Sequence, residues 1–281
     1  MELREPTFEV AIGFKGVGKT YTFDQISDDY VKTLRRPILV FDVNNEFNEG
    51  NRLYGYKAID FDVTEENEFK RSEQIRNIKV PGKYRIVPFK KNRQPMTARE
   101  MLIAASTIVT YYRGGMVLLE DLNKYTSSHF KQEFVGMFMG LRHLGVDLVV
   151  HFQSLRAIPP KVWSDMQYLR WHKCSEKIIK YKQRITSLEL FSIAEAIVDH
   201  KYRTNPRFFL WVDVLSNKIL GVTAEDIREG CRIYLSQNPG ELRQLLSHID
   251  LDGKKKYGSQ QDAVNDFIKT KTEDYLPVNP S

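Results

Sequence analysis

The sequence of 281 residues predicts an α/β fold, a mainly parallel central sheet flanked by helices, and three observations carry that expectation. Short, mostly apolar runs at residues 10–12, 38–41, 116–119 and 146–152 have the near-continuous hydrophobicity of strands covered on both faces. Helical spacing at residues 21–34 and 98–112 alternates with them. The first strand also runs straight into a glycine-rich loop that opens a helix, G-F-K-G-V-G-K-T at residues 13–20.

That loop fits G-x-x-x-x-G-K-[ST] at Gly13, Gly18, Lys19 and Thr20, with Phe14, Lys15, Gly16 and Val17 between them. Glycines there let successive backbone N–H groups turn onto nucleotide phosphates, at a helix N-terminus whose partial positive charge favours an anion. Lys19 is placed to reach the β- and γ-phosphates, and the Thr20 hydroxyl to ligate Mg²⁺. A chance glycine turn matches these four positions in roughly one chain in a hundred. The flanking strand and helix favour the phosphate loop.

Composition bounds the rest. Lys and Arg outnumber Asp and Glu by 42 to 36, an excess that permits a nucleic-acid partner without requiring one. No apolar run approaches the ~20 residues that span a bilayer, and the opening Met-Glu-Leu-Arg-Glu has no signal-peptide pattern. The expectation is a cytoplasmic protein with no membrane partner. Cys174 and Cys231 have no second cysteine or histidine at ligand spacing, so buried thiols are expected rather than a disulfide or a metal site.

In chain order, Pro37 ends the first helix, and the strand at 38–41 leads into D-V-N-N-E-F, residues 42–47. Ligands of open α/β sheets bind beyond the carboxyl ends of strands, so Asp42 and Glu46 face the nucleotide, unless they only solvate a turn. A strand is expected near 58–61, a charged surface helix over 64–76 and a strand over 83–89. Lys90, Lys91 and Arg93 form a basic loop, read either as a nucleic-acid contact or as a solvated face, and Lys124 is grouped with them. Thr97 and Glu100 form a capping box before the helix at 98–112, which Gly114-Gly115 closes.

The strand at 116–119 ends in Glu120-Asp121. Four apolar residues followed by two acids suit one carboxylate for Mg²⁺ and one to polarise the attacking water. By position Glu120 takes the metal and Asp121 is the catalytic base, in the reverse of the usual Asp-Glu order. A helix is expected from Ser127 or Ser128 through Leu141, with Arg142 and His143 at its end. The strand at 146–152 then ends at Gln153, a polar tip placed to sense the γ-phosphate. Arg156 follows in the next loop. Further on, a strand is expected at 168–172, a helix at 187–200, two strands within 208–220 joined at 216–218, and helices from Thr223 and Pro239.

Four segments, G-F-K-G-V-G-K-T, I-L-V-F-D-V-N-N-E-F, M-V-L-L-E-D-L and L-R-H-L-G-V-D-L-V-V-H-F-Q-S, resemble the HerA/FtsK superfamily of P-loop ATPases that pump DNA. Asp42, Glu46 and Phe47 match its D-x-x-x-E-[YF] segment; Arg142, Gly145 and Gln153 match its R-x-x-G-x-x-strand-Q arrangement. The resemblance implies a RecA-like (ASCE) P-loop NTPase and a homo-oligomeric ring of about five or six subunits. It also implies an arginine reaching a neighbour's γ-phosphate, with Arg142 the first candidate and Arg156 the second. Small members without a large N-terminal domain resemble viral genome-packaging ATPases, whose partners are double-stranded DNA and a portal or procapsid protein. The expected organisation is a core over residues 1–222, a helical C-terminal extension over 223–252 and a polar, mobile tail over 253–281. A P-loop ATPase that assembles or remodels protein, a slowly hydrolysing nucleotide-dependent interaction module and, more remotely, a small-molecule kinase are the rivals.

Overall fold

In the computed structural model, residues 5–51, 53–125, 144–249 and 255–277 are described. They fall in two compact units, Met1–Gln167 and Tyr168–Ser281. This division falls before Tyr168, inside the stretch the sequence reading assigns to one core over residues 1–222. No Pro/Gly/Ser-rich linker marks the change, so the sequence reads as one continuing strand–helix alternation.

The first unit holds strands β1 (Phe8–Ile12), β2 (Pro37–Phe41), β3 (Tyr56–Ala58), β4 (Gly82–Ile86), β5 (Met116–Leu119) and β6 (Asp147–Phe152). Their order is β3-β4-β2-β5-β6-β1 and every neighbouring pair is parallel. The central strands β2, β5 and β6 are buried along their whole length, the reason their sequences carry no polar alternation. Helix α1 (Lys19–Leu34) packs Phe23 and Tyr30 onto Ile38, Val40, Leu118 and Val149 of that sheet. Asp147 opens β6 inside this core. It is satisfied by the Thr7 backbone N–H and hydroxyl, each at 2.8 Å, and by the Tyr30 hydroxyl at 2.7 Å.

The charged stretch forms two short helices, α2 (Glu68–Arg71) and α3 (Glu73–Arg76), where one was expected over 64–76. Ser72 divides them: its buried hydroxyl donates to the Phe69 carbonyl and accepts from Arg76 Nε. Helix α4 (Ala98–Tyr111) begins with both halves of the Thr97/Glu100 capping box. The expected helix from Ser127 or Ser128, with Arg142 and His143, lies outside the described residues. Helix α5 (Pro160–Asp165) completes the unit.

In the second unit, β7 (Tyr168–His172), β8 (Phe209–Asp213) and β9 (Lys218–Leu220) form an antiparallel meander. Helices α6 (Leu188–Lys201), α7 (Ala224–Gln237) and α8 (Pro239–Leu246) follow the sequence expectation closely. The polar tail does not. Residues Gln260–Tyr275 form helix α9, started by a Ser259 side chain that accepts from the Asp262 N–H. Its buried residues Ala263, Phe267, Ile268, Thr272 and Tyr275 are a sparse stripe that the polar composition hides. The Phe267 ring stacks on Tyr234 of α7 at 6.2 Å. The Tyr275 hydroxyl donates to Glu189 of α6. Cys174 and Cys231 are both buried.

Candidate active site

The strand register decides which side chains meet. Ile12 pairs with Phe152, Phe41 with Leu119 and Leu119 with Val150, so the chain leaves the carboxyl ends of β1, β6, β5 and β2 side by side. Strand β6 lies between β1 and β5, which puts Gln153 between the glycine loop and the Glu120-Asp121 pair.

The loop itself requires its glycines: Gly16 and Gly18 sit at φ 89° and 97°, in the left-handed region that a side chain disfavours. An added Cβ on Gly16 meets nothing within 4 Å, so backbone conformation and not crowding selects glycine there. Val17 is buried, while Lys15 and Gly16 are exposed at the tip and Phe14 is half-buried. Lys19 curls back over the loop, its Nζ donating to the Gly13 carbonyl at 2.6 Å and the Phe14 carbonyl at 3.2 Å.

Asp42 and Glu46 act in different ways. Asp42 is fully buried and accepts from the Glu46 and Phe47 N–H groups at 2.7 and 3.0 Å and from Arg85 Nη1 at 2.9 Å. It folds the turn. Burial pushes its pKa up, against the pull of those donors. The turn carries Glu46 to the loop, where its Oε2 accepts from the Thr20 hydroxyl at 3.0 Å.

Glu120 and Asp121 also differ. Asp121 has a left-handed backbone, φ 39° and ψ 53°, and its Oδ2 accepts from Gln153 Nε2 at 2.9 Å and Asn44 Nδ2 at 3.0 Å. Lys124 Nζ bonds Asn44 Oδ1 and stands 4.0 Å from the same Oδ2. Lys124, grouped by sequence with the nucleic-acid contacts, is thus placed at the carboxylate site. Glu120 is 2% exposed, and its Oε2 has no hydrogen-bond partner among the described residues. Its Oε1 is 4.0 Å from His151 Nδ1. Burial, then the nearby carboxylates of Asp42, Glu46 and Asp121, hold its pKa well above the ordinary carboxylate range.

A crowd of carboxylates with one orphaned buried oxygen fits a cation. The donors, a hydroxyl and carboxylates, are the hard oxygens that Mg²⁺ selects, with phosphates and waters completing its shell. Among the described residues no three such side chains already form a metal cage.

The remaining candidates lie elsewhere. Lys90 pairs with Glu100 at 3.3 Å, and Lys91 with Asp62 at 3.5 Å and Asp60 at 3.8 Å. Arg93 is exposed at φ 64° in the same turn. Arg156 is exposed on the 3-10 turn Leu155–Ala157, just past Gln153. Arg142 lies outside the described residues. Sequence reading missed Asn44 and Arg85. Asn44 stood inside the polar run at 42–47, which was the available signal; Arg85 gave none within its strand.

No protein-family model and no curated protein matches the chain. Among solved structures it is similar to the genome-packaging NTPase B204 of Sulfolobus turreted icosahedral virus 2. The complex with AMPPCP aligns at 16% identity and a TM-score of 0.51, over 76% of this chain and 95% of that one. The complex with ATP-γS aligns at 16% identity and a TM-score of 0.50, over 78% and 97%. The sulfate complex gives 14% identity and a TM-score of 0.50, over 77% and 95%. The chain has the P-loop NTPase fold.

Proposed function

We propose that the chain is a Mg²⁺-dependent ATPase that translocates double-stranded DNA as a homo-oligomeric ring, a viral genome-packaging motor working in the host cytoplasm. The observation that carries the ATPase part is the convergence of Thr20 with Glu46 and of Asp121 with Gln153 and Asn44 beside the glycine loop. The motor part rests on the HerA/FtsK resemblance of the four segments and on the likeness to a packaging NTPase.

In this reading the loop N–H groups and Lys19 bind the β- and γ-phosphates, Lys19 exchanging its bonds to Gly13 and Phe14 for phosphate oxygens. Thr20, Glu46 and the orphaned Glu120 oxygen hold Mg²⁺, which when bound neutralises phosphate charge. Gln153 and Asn44 occupy Asp121 Oδ2 and leave Oδ1 for the attacking water. As the water oxygen bonds to the γ-phosphorus, its proton passes to Asp121 and the bond to the β–γ bridging oxygen breaks. Gln153 touches the group whose task ends at cleavage, a position from which hydrolysis can be reported to the strand.

Grip on DNA through phosphates is sequence-independent and salt-sensitive, as a motor on any sequence requires. The decisive experiment is steady-state ATP hydrolysis with and without long double-stranded DNA at two salt concentrations. Strong stimulation that fades with salt is expected. Hydrolysis indifferent to DNA points to the second reading, an ATPase that remodels or assembles protein. The ion pairs that engage Lys90 and Lys91 within the chain favour that rival, because they compete with phosphate contacts.

A further inference from the structure

The loop between β7 and α6 is a basic run. Over residues 173–184 it holds Lys173, Lys177, Lys180, Lys182 and Arg184 against one acid, Glu176, and no further acid comes before Glu189. The base of the run is neutralised and pinned. Lys173 and Lys177 each donate to Asp199 of α6 at 2.6 Å, one to either carboxylate oxygen, and Lys177 Nζ also stands 3.7 Å from Glu195. Ile178 is buried, and its N–H donates to Glu195 Oε1 at 3.1 Å. Two acids thus take up two lysines and fasten the loop to the helix.

Beyond that anchor the cations point to a different use. The 3-10 segment Ile178–Arg184 breaks at Tyr181 (φ −114°, ψ 15°), and Lys180, Lys182 and Arg184 are all exposed on it. Neither Lys180 nor Lys182 makes a side-chain hydrogen bond or an ion pair among the described residues. The Arg184 guanidinium stands over the Tyr181 ring at 5.7 Å. On α7 and at the end of α6 the same unit pairs its surface cations, Arg228 and Arg232 with Glu225 and Lys201 with Asp226. An ordinary solvated face mixes both signs in that way. Like charges crowded on one short segment repel one another until an anion neutralises them.

A repeating anion suits such a segment, because phosphates recur along a duplex and each lysine reaches its own on a flexible stem. Tyr181 is the one aromatic ring there, half-buried and already faced by Arg184, so the segment has no row of platforms for the bases of a single strand. Ile179, 51% exposed, is too little apolar surface to enter a lipid layer. The basic residues that sequence singled out are engaged otherwise, Lys90 and Lys91 in ion pairs and Lys124 beside Asp121. We infer that Lys180, Lys182 and Arg184 form a contact surface for the phosphate backbone of double-stranded DNA. The duplex as partner rests on the motor reading proposed above; the exposed, acid-free cation cluster does not.

Binding is tested on the full chain by fluorescence anisotropy of a short labelled duplex, between about 50 and 200 mM salt. Saturable binding is expected. The chain carrying Lys180→Gln, Lys182→Gln and Arg184→Gln should bind at least tenfold more weakly, and its plot of log affinity against log salt should be shallower by about 2–3, near one per lost phosphate contact. Lys32→Gln, Lys79→Gln and Lys269→Gln together remove the same charge from lysines exposed elsewhere, and should weaken binding by less than about threefold. Lys180→Arg with Lys182→Arg keeps the charges and should bind as the parent chain does. Equal weakening by the two glutamine sets is an effect of net charge and overturns the surface. Undiminished duplex binding after the changes at 180, 182 and 184 also overturns it, and leaves the motor reading intact. Where those changes abolish binding but DNA does not stimulate ATP hydrolysis by the parent chain, the motor reading falls and the surface stands. A parent chain that binds no duplex overturns both, and binding to phosphatidylserine vesicles through the same three residues would then make the partner a membrane.

Discussion

Glu120 and Asp121 are adjacent in sequence and opposite in circumstance, so two isosteric substitutions separate their roles. Asp121→Asn removes the proton acceptor while keeping bonds available to Gln153 and Asn44. Turnover should fall by about 10²–10⁴, the usual worth of a general base, with ATP affinity and Mg²⁺ dependence unchanged. Glu120→Gln keeps volume at a site 2% exposed but removes one negative charge from the carboxylate group. Its signature should be a higher Mg²⁺ requirement, with kcat recovered at saturating metal. A Mg²⁺ titration of hydrolysis checks both, and interchanged signatures would reverse the assignment. Lys19→Ala should abolish hydrolysis altogether; normal turnover in that variant excludes the loop as the nucleotide site. Spacing alone announced the loop, because left-handed φ at Gly16 and Gly18 and a charged residue at Lys19 leave a local signature. The bond from Thr20 to Glu46 spans 26 residues and that from Asn44 to Asp121 spans 77, both closed by strand register. No local pattern encodes such pairs.

At the level of elements, strands β2 and β5 and helices α1 and α4 were legible because burial on both faces and a capping box are written in consecutive residues. Helix α9 was not. It buries only the stripe Ala263, Phe267, Ile268, Thr272 and Tyr275, and its partners are residues of α6 and α7 far away in sequence. Phe267 is the measure of that docking, 6% exposed and stacked on Tyr234. Phe267→Ala should cost the second unit about 3–5 kcal/mol, the range for deleting a buried aromatic ring. A denaturant midpoint unmoved by the change would show α9 to be an ornament. Cys231 supplies an independent probe of the same packing. It is fully buried on α7, and burial followed by the Glu189 charge pushes its thiol up to about 12. Reaction with Ellman's reagent at neutral pH should therefore be slow in the folded chain and complete in denaturant. Deleting α9 should accelerate it in native buffer.

For the molecule as a whole, the proposed ring makes a prediction that no single chain can satisfy. An arginine supplied across an interface contributes ~10³–10⁵ to the hydrolysis rate in other P-loop NTPases, and it does so on the neighbour's nucleotide. Arg142 and Arg156 are the candidates, and Arg156 already lies exposed beside Gln153, where β6 ends. Consider an Arg142→Ala chain, intact in its own site but unable to complete its neighbour's, mixed with an Asp121→Asn chain that has the reverse defect. Where an Asp121→Asn subunit presents its arginine to the site of an Arg142→Ala subunit, one whole site is restored. Mixing should then raise turnover above either pure variant, with a maximum near equal proportions, and the same design applies to Arg156. An arginine that acts within its own chain, as a salt bridge at a helix end would, gives only the weighted mean of the two variants at every ratio. A curve that never rises above that mean for either arginine removes the shared site, and with it the physical reason for a ring.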